Sequence, residues 1–242
     1  MTDRIALFPL SAVLFPGVVL PLHLFEDRYR TLLSDLMNGP EPRRFGVVAL
    51  ELGRDTDDFG EAGGGSGPAE PPGAPDLPGA AVTPRLAEVG CVAELHDVVP
   101  LPDGRFDVVT VGGRRFRLKE LDRSRPYLRG DVEFLPEEPG DATGGLVRRV
   151  RQLFHLYRHR LAAAGAAAGD PGDLPDDPVA LSYLVAAATV LDPADKQRLL
   201  AAEDAAHRLR AERDLLLRET RLLDALPTVP AGQFLDSSFH PN

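Results

Sequence analysis

Through the first half of the chain, apolar residues either alternate with polar ones or run unbroken for short stretches. Ile5 to Leu10 and Val18 to Leu24 read as strands, with Pro9, Pro16 and Pro21 at edges, bulges or turns because proline donates nothing to a ladder. Asp27 to Met37 changes period: Tyr29, Leu32, Leu33 and Leu36 fall on one helical face. Glu26 and Asp27 place acids where the helix dipole favours them, and Asn38-Gly39-Pro40 ends the helix. Phe45 to Leu50 reads as a buried strand. Val89 to Val99 and Phe106 to Val111 flank Leu101-Pro102-Asp103-Gly104-Arg105, whose Asp-Gly predicts a hairpin turn. Gly112-Gly113 predicts a second reversal into Arg115 to Leu121, and Tyr127 to Leu135 supplies a last strand. A crossing helix among short hairpins predicts a small mixed or antiparallel barrel.

In the second half the period is helical. Leu146, Val150, Leu153, Tyr157 and Leu161 make one stripe, supplemented by Val147 and Phe154. Asp177-Pro178 and Asp192-Pro193 each pair an N-cap aspartate with proline at the first helical position. The last helix, Asp204 to Leu226, sets Leu209, Leu216 and Leu223 seven apart, a broad face for packing inside its own bundle. Between the halves of the strand region, 53–84 is rich in glycine and proline, too poor in apolar surface to offset its ordering entropy. The expected organisation is α+β: a barrel subdomain over 1–136 with a disordered insertion at 53–84, a helical bundle over 143–226, and a flexible tail over 227–242.

Composition narrows the function. The formal charge of −10 opposes a nucleic-acid partner, since phosphate contacts need a positive surface. The one local exception is a strip, Arg114 to Lys119, whose alternation puts Arg115, Arg117 and Lys119 on one face and Phe116 and Leu118 on the other. A solvated strand face is the plainer reading of it. Cys91, the single cysteine, excludes an internal disulfide and any multi-cysteine metal site, and its apolar neighbours suit a buried thiol. No apolar run reaches the roughly 20 residues of a membrane span, and no signal-peptide pattern opens the chain, so a cytoplasmic location is expected. His155 and His159 sit one helical turn apart, as in zinc helices, but Leu156 stands where H-E-x-x-H carries its general base. They read as a polar helix face. The glycines at 63–67 lack the strand and helix of a phosphate cradle.

The segment Leu7-Phe8-Pro9-Leu10 through Phe15-Pro16-Gly17 to Phe25-Glu26-Asp27-Arg28-Tyr29 resembles the opening of the N-terminal substrate-recognition domain of Lon ATP-dependent proteases. Further along, Glu88 to Ala93, the Leu101 to Arg105 turn and Val111 to Phe116 are similar to that domain's strands and hairpin. Asp195-Lys196-Gln197 falls where Lon-like chains start a helix after an aspartate–proline one. Several motifs in order make the resemblance specific over nearly the whole chain. It implies a PUA-like β pseudobarrel followed by a C-terminal helical bundle, with 53–84 as decoration.

The same resemblance implies recognition of protein segments without catalysis. No G-x-x-x-x-G-K-[ST] is present, because neither Lys119 nor Lys196 follows a glycine, and these are the only lysines available to a Ser–Lys dyad. The expectation is a standalone recognition domain without the Lon ATPase or protease, needing no cofactor or metal. Its partners would be unfolded or flexible protein segments, with a separate protease or ATPase served through the helical bundle as the adaptor variant. A PUA-like RNA- or small-ligand-binding barrel is the alternative. Recognition needs exposed apolar anchors. The candidates are Leu14, Phe15 and Pro16 at the tip between the first two strands, with Phe25 and Tyr29 nearby. Burial in the core is the ordinary fate of Phe25 and Tyr29, while for Phe15, beside Pro16-Gly17, burial and exposure are evenly matched.

Overall fold

Side chains that alternate along a strand must go to opposite faces, and here that sorting produces a closed ring. The computed structural model describes residues 3–51, 85–166 and 172–225; the 53–84 insertion and the 227–242 tail lie outside them. The strands are β1 (Asp3–Leu10), β2 (Val19–Leu24), β3 (Arg44–Glu51), β4 (Arg85–Leu86), β5 (Val89–Pro100), β6 (Phe106–Asp122) and β7 (Arg129–Phe134). Helix α1 (Asp27–Asn38) crosses between β2 and β3, and α2 (Gly144–Ala163), α3 (Pro178–Ala188), α4 (Pro193–Ala201) and α5 (Ala205–Ala225) follow the sheet.

Antiparallel pairings run β1–β7–β6–β5–β3, and a parallel pairing of β3 with β1, Phe8 opposite Val47, closes the ring. Ile5, Leu7, Val48, Val92, Phe116 and Val132 fill its interior. Phe116 fits because Gly46 and Gly90 face it: a Cβ on either would sit 2.6 or 2.5 Å from its Cζ. β2 is attached outside the ring, paired with β6.

One strand differs from expectation. Gly112-Gly113 does not reverse the chain; β6 runs through it as one strand of 17 residues. The glycine is needed for a close approach instead. A Cβ on Gly112 would lie 2.1 Å from the Phe15 carbonyl oxygen, and Gly112 exchanges backbone hydrogen bonds with Gly17 (2.7 Å) and Val18 (2.8 Å). Glycine admits a turn and admits contact, and sequence alone does not separate the two.

The helix starts follow the sequence. Asp177 accepts from the Ala180 N–H at 2.8 Å, Asp192 from Asp195 N–H at 2.7 Å, and Thr143 caps α2 through Leu146 N–H at 3.3 Å. Val150, Leu153, Phe154 and Tyr157 of α2 pack with Leu181, Val185, Leu209 and Leu216. A second apolar cluster joins barrel and bundle, running from Phe8, Phe15 and Tyr29 to Tyr183, Ala186, Leu199 and Leu200. Asp195-Lys196-Gln197 ties the same elements together. Gln197 Nε2 donates to the Val89 carbonyl of β5 (2.8 Å), Lys196 Nζ to the Ala187 carbonyl of α3 (3.2 Å), and Asp195 accepts from Arg218 of α5 (2.6 Å).

Beside that cluster lies a buried polar network. Arg115, 1% exposed, donates to Glu137 (3.0 Å) and to the carbonyls of Leu200 (2.8 Å), Ala202 (2.5 Å) and Pro136 (3.1 Å). Arg208 of α5 donates to Leu199 O (2.9 Å), Ser182 Oγ (2.8 Å) and Tyr183 Oη (3.0 Å), and its guanidinium lies 3.9 Å from the Tyr183 ring centroid. Tyr183 Oη in turn donates to Glu137. One sheet arginine thus grips the turn between α4 and α5, and one helix arginine grips α3 and α4.

Candidate functional site

β2, the first half of β6 and the second half of β5 form a three-stranded sheet with two unlike faces. In register, Val19 stands opposite Val111, Pro21 opposite Val109, and His23 opposite Asp107. On the far side of β6, Asp97 stands opposite Val109 and Val99 opposite Asp107. Directly opposed residues share a face. The alternate set, Leu20, Leu22, Leu24, Val108, Leu95 and Val98, packs inward on the cluster shared with α1, α3 and α4.

The outer face is apolar and open. Val19 is 59% exposed, Val99 47% and Val109 37%, and Phe25, just past β2, is 61% exposed. Phe25 stacks on the His23 ring at 6.3 Å, and His23 Nδ1 lies 2.6 Å from Asp107 Oδ1. The arginines around this face are already engaged: Arg105 with Asp103, Arg28 with Glu26, and Arg30 with Asp27. Asp97, hydrogen-bonded to the Val98 N–H, and Asp107 leave the face with carboxylates in excess.

The expected anchors divide. Leu14 and Phe15 are 4% and 1% exposed, which corrects Leu14 as an exposed anchor and decides the evenly matched case of Phe15 for burial. The physical reason is Gly112, whose missing side chain lets the tip fold down onto β6, where the Phe15 ring reaches Tyr183 at 6.4 Å. Pro16 is half-buried beside it. Tyr29 is in the core, stacked on Phe8 at 3.9 Å with the Arg28 guanidinium 4.6 Å from its ring centroid. Phe25 alone stands in solvent. Sequence reading missed Val19, Val99 and Val109, although the spacing of Leu20, Leu22 and Leu24 marked the inner face and so, by elimination, the outer one.

The basic strip is also corrected. Arg115 and Phe116 are both buried, on opposite faces of the strand: Phe116 fills the ring, and Arg115, far from solvated, serves the junction. Arg117 is exposed but stands opposite Glu133; Lys119 pairs with the same carboxylate at 2.6 Å. No continuous positive face results from the three.

Groups with chemical potential are otherwise engaged. Burial pushes the Cys91 thiol well up, so it stays protonated, and its Sγ donates to the Gly113 carbonyl at 3.4 Å. Burial lowers the Lys196 ammonium, whose donor is engaged with Ala187. His155 and His159 are exposed on α2. Among the described residues no group of three or more His, Cys, Asp or Glu side chains could hold a metal ion, and no helix is long and apolar enough to cross a membrane.

Comparison with known proteins agrees with this architecture. The Lon N-terminal domain protein from Xanthomonas campestris superposes with a TM-score of 0.55 at 21% identity, covering 93% of this chain and 99% of that one. The N-terminal domain of a Mycobacterium avium complex Lon protease gives 0.58 at 21% identity, covering 93% and 100%. The Lon protease of Parabacteroides distasonis is 28% identical over 178 residues, 71% of this chain and 18% of that protein. Lon protease 1 of Herpetosiphon aurantiacus is 22% identical over 233 residues, 91% and 25% respectively. The chain spans a quarter or less of the length of these curated relatives. The profile of the ATP-dependent protease La (LON) substrate-binding domain matches residues 4–218, and the chain belongs to that family.

Proposed function

We propose that this chain is a non-catalytic recognition module that holds unfolded or flexible segments of client proteins against the outer face of β2, β6 and β5. The observation that carries this reading is the exposed row of Val19, Val99, Val109 and Phe25, mounted on a sheet whose other face is packed core. Exposed apolar surface on a rigid support is what transient capture of protein requires. Membership of a substrate-binding family supports the same reading. Holding clients without processing them makes the chain an adaptor or chaperone-like factor for a separate protease or ATPase, acting in the cytoplasm, with α5 as the element that docks on that partner.

The test is binding of fluorescently labelled β-casein, a chain that stays unfolded, to wild type and to the double variant Phe25→Ser/Val109→Asp. Wild type binds, and the variant, with an unchanged circular dichroism spectrum, binds at least about tenfold more weakly, the equivalent of ~1.4 kcal/mol. Equal binding by the two proteins would reject the surface. Peptidase or ATPase activity in the purified protein would reject the non-catalytic reading.

A further inference from the structure

Resting on that reading, we propose that the unpaired edge of β2 receives the client as an added strand. The segment it selects is extended and carries both apolar residues and lysine or arginine on one face, at every second position.

The edge follows from the ladder. Val18 accepts from Gly112 N–H at 2.8 Å, and the register continues through Leu20–Thr110, Leu22–Val108 and Leu24–Phe106. In an antiparallel pair, alternate residues turn their backbone groups to the partner, and those between turn theirs away. Val19, Pro21 and His23 therefore direct their carbonyls, and Val19 and His23 their N–H groups, to the side where no strand is paired among the described residues. Pro21 occupies an outward position, where its missing N–H costs β2–β6 nothing. It removes one rung from any added ladder, a device that keeps an open edge from irreversible pairing. Capture at this edge is short and reversible.

Backbone pairing suits a module that meets many clients, since main-chain groups are common to all of them while alternate side chains set preference. The occupant's character comes from the face beside the edge. Val19, Val109 and Phe25 offer apolar contact, and beyond them lie Asp107, beside the His23 imidazole and in the field of Arg105, and Asp97, opposite Val109. Strands are spaced ~4.8 Å apart, so an arginine on the added strand reaches across β2 toward the Asp107 row. A chain of net charge −10 also draws cationic segments at longer range.

The probe is a fluorescein-labelled nonapeptide with valine and arginine taking turns at the odd positions and threonine at the even ones, titrated by anisotropy. Its counterpart with glutamate for arginine is expected to bind at least about tenfold more weakly, and Asp97→Asn/Asp107→Asn is expected to erase that preference. N-methylation of the peptide amides along one edge removes its donors and keeps its side chains; affinity falls about tenfold or more. On the protein, His23→Pro removes an outward donor and His23→Ala keeps it, so the proline variant binds about tenfold more weakly than the alanine variant at equal urea midpoints. Undiminished binding of the methylated peptide, or no binding of the parent peptide, overturns strand addition. If β-casein binding still depends on Phe25 and Val109, recognition by the face survives that failure. A concentration-dependent dimer in sedimentation, abolished by His23→Pro, would assign the edge to a second copy of the chain and likewise overturn the proposal.

Discussion

The barrel–bundle junction and the outer face of the β2–β6–β5 sheet both invert the usual placement of side chains, in opposite senses. At the junction, charged Arg115 and Arg208 are buried; on the outer face, Val19, Val99 and Phe25 stand in water. Yet the buried charges are the settled ones. Both guanidinium groups donate to oriented carbonyls or hydroxyls, which tolerate one geometry. The exposed apolar groups have little to contact but each other and His23. Satisfaction of a group, more than its chemical type, separates the two regions.

The sharpest way to break that contrast is one substitution made on either side of β2. Phe15→Ala should cost about 3–5 kcal/mol in urea unfolding, because it empties a site 1% exposed in the shared core. Next comes Arg115→Met, expected to cost about 3 kcal/mol by taking one of its donors from Glu137 and the guanidinium from three carbonyls. A loss below about 1 kcal/mol would mean the junction is contact without grip.

Glu212 gives a smaller effect with a definite sign. It is buried on α5, neither carboxylate oxygen has a hydrogen-bond partner among the described residues, and burial raises it well above its ordinary 4.5 against the opposing pull of Arg208. The folded state therefore holds this proton to higher pH than the unfolded state, so stability declines as pH rises from about 4.5 toward the folded value. Glu212→Gln should flatten that decline between pH 5 and 8, read as urea midpoints; an unchanged slope would show that the carboxylate is ionised in place. The least effect on folding belongs to Phe25→Ala, within about 0.5 kcal/mol of wild type. Its β-casein affinity should nevertheless drop, the reverse of Phe15→Ala measured on its surviving folded fraction.

Periodicity carried most of the fold. The α1 stripe, the Asp-Gly hairpin and both aspartate–proline starts stand where local chemistry puts them, because each depends on neighbours in sequence. Gly112 and Arg115 were illegible for the opposite reason. What Gly112 meets is Phe15, and what Arg115 meets is the α4–α5 turn, contacts made only when the ring closes and the bundle docks. Burial of the Leu14-Phe15 tip followed from the first of these, and loss of the basic strip from the second. Phe25 was recoverable in part: it follows the inward-facing Leu24, so the strand's alternation turns it outward.

Closure of the ring also sets an order of events. Arg4 of β1 meets Asp131 of β7 across 127 residues of chain. At roughly 5–20 residues per second of synthesis, β1 waits on the order of ten seconds for its antiparallel partner. Throughout that wait Ile5 and Leu7, later sealed inside the barrel, remain open to whatever binds nascent chains.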